Sequence, residues 1–588
     1  MASLSPLSNT IPNPGTTTSS SSSYALSLNK SKISTFSKPR NHVTHKVTCS
    51  ARKEESGDKI DRRNVLLGLG GLYGLSGLGA SDKFAMGAPI APPNLANCGP
   101  ADLPAGAQPT NCCPPNNLNI IDFKLPSAYS TPMRTRIAAH LVDDVYIEKY
   151  SRAIALMKAL PDDDPRSFKQ QANIHCAYCD GAYDQIGFPN LEIQIHQSWL
   201  FFPWHRCYLY FHERILGSLI NDPTFALPFW NWDAPGGMRL PSMYANPESS
   251  LYNIRRDALH QPPAFLDLDY DLVDQNVPEK EQLKVNNAIM YRQMVSNGKT
   301  RALFLGSPYR AGNDPSPGQG SVENVPHGSV HFWAGDRTQP NTEDMGNFYS
   351  AARDPIFMAH HSNIDRMWTI WKTLGGKRTD YTDKDFLDTA FLFYDENKNL
   401  VRIKVSDVLD QQSLRYAYQD AALPWLKTRP TPRKATKSGG KKKGTARSLN
   451  KGLDIITEFP KALDAPFTVL VARPNTTKRS GKEKEDEEEV LVIEGIDIEK
   501  DTVVKFDVYV NDEDDKKPSA ASSEFAGSFV NVPHKHGSKG NKMTTCLRLG
   551  LTDLLEDMDA EDDDDVLVTL VPRQGKVTIG GIKIVFAS

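Results

Sequence analysis

Between Leu141 and Pro161 the apolar residues Ile147, Tyr150, Ile154 and Met157 fall three and four positions apart. This spacing predicts a helix with one buried face, closed by the proline and the three aspartates that follow it. A second helix is predicted to start at Pro203, whose fixed φ suits a first helical turn, and to run through Trp204-His205-Arg206 to Leu219. A third starts at Asp354-Pro355, a cap followed by proline, and runs through His360-His361 to about Lys372. The stretch 140–425 thus reads as mainly α. The period then changes: Val504, Phe506, Val508 and Val510 alternate with Lys505, Asp507, Tyr509 and Asn511. Val577-Thr578-Ile579 is joined to Ile582-Lys583-Ile584 through Gly580-Gly581, which predicts an antiparallel hairpin. The acidic runs 485–489 and 561–565 read as solvated loops between strands. The expected architecture is a mainly α domain followed by an all-β sandwich or jelly roll.

Composition divides the chain further. Residues 427–451 hold two prolines, several glycines and Lys441-Lys442-Lys443, which is the composition of an exposed, protease-sensitive linker. The first 50 residues carry no acidic side chain but have a serine run at 19–23 and scattered lysines, as organelle transit peptides do. Arg62-Arg63, an uncharged stretch to Ala80 and the small residues around Ala85-Met86-Gly87-Ala88 then read as a twin-arginine signal. That stretch is shorter than the ~18 apolar residues of a membrane span and is broken by glycines. Together the two signals predict import into a chloroplast and transfer to the thylakoid lumen, with cleavage near Ala88 and no membrane span in the mature chain. The expected organisation is 1–87 targeting, 88–426 catalytic, 427–451 cleavable linker and 452–588 C-terminal β domain.

Charge excludes one class of partner. The formal net charge of the 588 residues is −3; the first 87 hold 11 basic and 5 acidic residues, leaving 57 and 66 on the other 501, or −9. Without a clustered cationic excess, no nucleic-acid partner is expected. Six of the eight cysteines, Cys98, Cys112, Cys113, Cys176, Cys179 and Cys207, lie within 110 positions. In an exported chain such a cluster reads as disulfides rather than zinc ligands, and spacing alone leaves the connectivity open.

The histidines carry the chemistry. His327 and His331 are four apart, so on a helix they share one face. His360-His361 follows thirty residues on, and His175, His196 and His205 lie upstream. Several sit among aromatic residues: His205 follows Phe201-Phe202-Pro203-Trp204 and His331 precedes Phe332-Trp333. Burying many imidazoles in such surroundings is costly unless something satisfies their nitrogens, and a pair of metal ions would. Imidazole suits copper, zinc, iron or nickel alike. His212, seven residues after His205, and His360 beside His361 are rival ligands.

His175-Cys176-Ala177-Tyr178-Cys179, Phe201-Phe202-Pro203-Trp204-His205-Arg206, the segment from His327 to Trp333, and Asp354-Pro355-Ile356-Phe357-Met358-Ala359-His360-His361-Ser362-Asn363-Ile364-Asp365-Arg366-Met367-Trp368 closely resemble the plant polyphenol oxidases, the catechol oxidase and tyrosinase family. Tyr416-Ala417-Tyr418 and Lys505-Phe506-Asp507-Val508 extend the resemblance to the end of the chain. It implies a four-helix-bundle core with a binuclear type 3 copper centre: His175, His196 and His205 on one copper, His327, His331 and His361 on the other. It further implies a Cys179–His196 thioether and the disulfides Cys98–Cys113 and Cys112–Cys176. The expected reaction takes electrons and protons from an o-diphenol, gives an o-quinone and reduces O2. Phe348 is expected over the approach to the second copper, Glu323 to position a water, and Gly328 to make monophenol hydroxylation weak, since glycine cannot help hold that water. The expected partners are a small phenol, O2 and an activating protease that relieves shielding by the C-terminal domain. An oxygen carrier using the same copper chemistry and a zinc hydrolase built on His327/His331 are the competing readings.

Overall fold

A computed structural model of the chain describes residues 87–117, 119–432, 458–474, 479–512, 519–534 and 542–587. The predicted targeting segment up to residue 86, with Arg62-Arg63, and the predicted linker from 433 to 451 lie outside the described residues.

Four helices build the core of the first domain: α1 (Asp144–Lys158), α2 (Phe168–Cys179), α3 (Phe201–Leu219) and α4 (Ile356–Thr373). Asp143 and Ser167 cap α1 and α2 by accepting from Tyr146 N and Gln170 N. The apolar face of α1 lies inward, with Tyr150, Ile154 and Met157 fully buried. α3 starts two residues before Pro203, and α4 starts after Asp354, whose carboxylate accepts from Ile356 N at 2.9 Å. α1 packs on α2 and α3, and α3 on α4. The predicted α content gives way at Ala390–Tyr394 and Leu400–Lys404, which pair as antiparallel strands beside the bundle.

A buried charge network ties α3 to α4. Asp365 on α4 accepts from Arg206 Nε of α3 at 2.5 Å and from the hydroxyls of Tyr416 and Tyr418 at 2.6 and 2.5 Å. Glu213 on α3 takes Arg134 and Arg136 at 2.7 and 2.8 Å. Strand Arg134–Arg136 runs parallel to strand Tyr416–Tyr418, so chain ends of the domain meet on α3 and α4. Ahead of the bundle, the arm from residue 88 has little regular structure. Disulfides Cys98–Cys113 and Cys112–Cys176 hold it to itself and to α2.

The C-terminal domain is a sandwich of two antiparallel sheets with its own apolar core. Its strands are β1 (Phe467–Ala472), β2 (Glu488–Glu499), β3 (Val504–Val510), β4 (Phe525–Asn531), β5 (Lys542–Gly550), β6 (Asp565–Gln574), β7 (Val577–Ile579) and β8 (Gly581–Ala587). One sheet runs β4-β3-β6-β1; in the other, β2 lies between β5 and the β7–β8 segment. Two expectations are corrected here. The segment around Gly580-Gly581 is not a hairpin: β7 and β8 both pair with β2 in one register (Thr578 with Asp497, Ile582 with Ile493) and form one strand kinked at the glycines. The kink faces Gly495 (φ 61°), where the two backbones approach too closely for side chains. Glu488 and Glu489 are not loop residues but open β2 and are buried, Glu489 paired with Arg473. Both faces of β3 are buried, because its polar residues pack on the first domain: Lys505 reaches Asp269 at 3.0 Å.

Candidate metal centre

The bundle brings together two groups of fully buried imidazoles: His175, His196 and His205, and His327, His331, His360 and His361. Within each group one nitrogen per ring lies within 4.8 Å of the others. His175 comes from α2, His205 from α3 and the His360/His361 pair from α4; His196 sits in the loop before α3. His327 and His331 do not share one regular helix. A wide helical turn, Glu323–Gly328, is broken at Val325 (φ −133°, ψ 129°) and followed by the helix Ser329–Ala334, and the two rings nonetheless lie 4.6 Å apart. The two groups abut: His205 stacks on His361 at 4.1 Å, and His196 lies 5.9 Å from His327. His212 belongs to neither group and bonds Gln171 Oε1 at 3.4 Å.

Hydrogen bonds orient the rings. Nδ1 of His175 bonds Phe348 O (2.8 Å), that of His196 Gln194 Oε1 (3.2 Å), that of His205 Phe201 O (2.8 Å), that of His327 Glu323 O (2.9 Å) and that of His331 Met345 O (2.6 Å). Each acceptor requires the proton on Nδ1 and so turns the lone pair of Nε2 to the centre. Nε2 of His175, His196, His205 and His327 is buried without a partner among the described residues, and Nε2 of His331 faces only Nε2 of His361, at 3.3 Å. His360 differs. Its Nδ1 accepts from Trp232 Nε1–H at 3.2 Å, so a neutral ring carries its proton on Nε2 and has no lone pair there. That geometry favours His361 as the third donor of its group.

Burial lowers the pKa of all these rings, that of His175 to about 3 and that of His331 to about 4; His196, His205, His327, His360 and His361 are pushed down first by burial and then by one another. Neutral imidazoles with orphaned, converging lone pairs are costly alone and are the donors a copper pair takes. The residues fit two metal ions.

Phe348 departs from the expected place. Its ring stacks on His196 of the first group, centroids 3.9 Å apart, because its own backbone oxygen holds His175. Burial raises the pKa of the Glu323 carboxyl, which accepts from Gln197 N and Gly320 N. Cys179 is a buried thiol whose carbonyl accepts from Gln194 Nε2 (2.9 Å), the same side chain that holds His196. His534, from the C-terminal domain, carries no local signal; it stacks on Phe348 at 5.2 Å and buries it from outside.

Two abutting triads of neutral, oriented imidazoles in a helical bundle define a binuclear metal oxidase or oxygen-binding centre. The description "common central domain of tyrosinase" matches residues 165–374, "polyphenol oxidase middle domain" 380–431 and "chloroplastic polyphenol oxidase C-terminal domain" 459–586. A chloroplastic polyphenol oxidase of Malus domestica is 60% identical over 601 residues, covering 100% of both chains. Aureusidin synthase of Antirrhinum majus is 57% identical over 505 residues, 84% of this chain and 88% of that one. Among solved structures, latent apple tyrosinase superposes with a TM-score of 0.76 at 62% identity, over 80% of this chain and 100% of that one. Latent aurone synthase gives 0.79 at 43% identity, over 85% and 99%. The chain belongs to the polyphenol oxidases of the tyrosinase family, enzymes with a binuclear type 3 copper centre that use O2. No helix among the described residues is long and apolar enough to cross a membrane.

Proposed function

We propose that this enzyme oxidises o-diphenols to o-quinones while O2 is reduced to water, with weak hydroxylation of monophenols. In this reading His175, His196 and His205 hold one copper and His327, His331 and His361 the other. The observation that carries it is the set of five Nδ1 hydrogen bonds that leave the Nε2 lone pairs converging. The copper pair, when bound, supplies O2 activation and accepts electrons.

The rest falls to the chain. Two catechols give up four electrons and four protons, matching one O2 reduced to two waters. Backbone and Gln194 acceptors keep the rings fixed while the charge of the centre changes. Phe348 offers an aromatic face beside His196 on which a phenol ring can rest. Glu323, next to the centre, is positioned to hold a proton-relaying water, and Gly328 has no side chain to share that water. A thioether between Cys179 and His196 would remove the freest ligand motion, since His196 alone of the first group lies on a loop.

The uncut chain is latent in this reading, because the C-terminal domain covers Phe348 through His534. Removal of 1–87 during passage into the chloroplast and the thylakoid lumen, then proteolysis in 427–451, would release the active form. Catalytic domain freed of the C-terminal fragment should contain about two coppers and oxidise 4-methylcatechol far faster than tyramine. Equal rates on both would overturn the substrate reading, and zinc in place of copper would overturn the ligand assignment. Digestion should give a peptide joining Cys179 to His196, lighter by two hydrogens than the separate peptides.

A further inference from the structure

β4 is an edge strand, and an edge leaves every second residue's N–H and C=O without a strand partner. Here side-chain amides of the first domain take those positions one after another. Asn297 Nδ2 donates to Ala526 O at 3.1 Å, and Asn324 Nδ2 donates to Ser528 O. Val530 N donates to Asn324 Oδ1 at 2.8 Å, and Gln319 Nε2 donates to Val530 O at 3.0 Å. Ala526, Ser528 and Val530 are two residues apart, the period of one strand edge. Asn324 pairs with both Ser528 and Val530 as a neighbouring strand would, and it lies between Glu323 and His327.

Gly328 completes the arrangement. Its φ and ψ, −61° and −43°, are ordinary helical values that any residue adopts, so its backbone does not call for glycine. What excludes a side chain is contact: a Cβ there would stand 2.8 Å from Cγ1 of Val530 and 3.5 Å from Cγ2 of Val532. Val530 is β-branched and buried, so it has no free rotamer to swing into.

We propose that Asn297, Asn324, Gln319 and Gly328 form a socket that reads the edge of β4, so that the residue following His327 is kept to glycine by the C-terminal domain. This rests on the latency reading above and names the residues that set it. The position that tunes the choice between phenols is therefore also the one that seats the inhibitory strand, and a side chain at 328 weakens shielding whatever it does to the phenol.

The test compares uncut chain with catalytic domain freed of its C-terminal fragment, each variant normalised to its own freed form. Gly328→Ala should raise the uncut-to-freed activity ratio by about tenfold, the scale of one overpacked contact. Adding Val530→Ala, which removes the opposing methyl, should bring the ratio back. Val530→Pro deletes the N–H that Asn324 receives and sets a ring carbon against the Asn324 amide oxygen, and should also raise the ratio while leaving the freed domain, which lacks residue 530, unchanged. As a readout independent of activity, linker-nicked wild-type fragments should co-elute on size exclusion and nicked Gly328→Ala fragments should separate. A latent wild type with an equally latent Gly328→Ala variant, or no restoration by Val530→Ala, overturns the socket alone. A wild type that is fully active uncut overturns latency and the socket together.

Discussion

His534 lies face to face with Phe348, the two rings 5.2 Å apart and inclined by 24°. Phe348 in turn covers His196, so a residue of the β sandwich closes the stack that leads to the metal ligands. His534→Ala should raise the catechol oxidase rate of the uncut chain by roughly two- to tenfold, the worth of one aromatic stack. The rate of the freed catalytic domain should not change. Rates before and after removal of the C-terminal fragment check both halves of this expectation.

The two adjacent histidines of α4 should separate in a metal analysis. His361→Ala should lower copper from about two per chain to about one, whereas His360→Asn should retain about two, because the proton of His360 Nε2 keeps it from serving as a donor. Copper content of the purified variants decides; the reverse pattern would exchange their roles.

Asp365 gathers Arg206, Tyr416 and Tyr418 in the interior between α3 and α4. Tyr418→Phe leaves the ion pair but removes a charged hydrogen bond, and should cost about 1.5–3 kcal/mol. Asp365→Asn strands a buried guanidinium and should cost about 3–5 kcal/mol. Thermal unfolding midpoints of the catalytic domain should fall in that order, with copper lost more readily as α4 loosens against α3.

Acid should release the C-terminal domain only at low pH. Burial pushes Asp507 up, but Lys505 and Arg573 outweigh it and hold it below its usual 3.8. Those partners lie in the β sandwich itself, so Asp507 contributes to the stability of the docking domain above pH ~4, and this is lost as pH falls further. Asp269, across the interface, has the opposite sign: burial, opposed by Lys505 and aided by Asp507, raises it, so its contribution to docking is present at low pH and is lost as pH rises. As pH is lowered from neutral, the uncut chain should therefore stay latent down to about pH 4 and become activated below. Incubation across this range, with every sample assayed at one common pH, measures the threshold; activation already complete at pH 5.5 would contradict it.

The helices α1, α3 and α4 were legible because their apolar spacing and proline starts are local signals, and α3 and α4 differ from the expectation by one or two residues. His175 and His196 were legible as chemistry, but not the hydrogen-bond acceptors that orient them, since Phe348 O and Gln194 come from distant or irregular segments. The two-glycine segment misled because Gly580 answers a bulge in β2, and bulges arise from pairing between strands rather than from either alone. The alternation in β3 correctly gave a strand. It said nothing of the burial of Lys505 and Asp507, because no local pattern records that a second domain covers the polar face. His534 was invisible for the same reason: its role exists only where two domains meet.

The Cys112–Cys176 bridge attaches the irregular arm to α2 one residue beyond His175 and closes a loop of 64 residues. By loop entropy, such a closure is worth about 4 kcal/mol. A reduced chain would hold its first metal donor on a helix whose end is free of the arm. Competence to receive copper would then depend on the redox state of the compartment in which the chain folds. In that case oxidation of two thiols would come before the metal, and a catalyst of oxidation would itself be assembled by one.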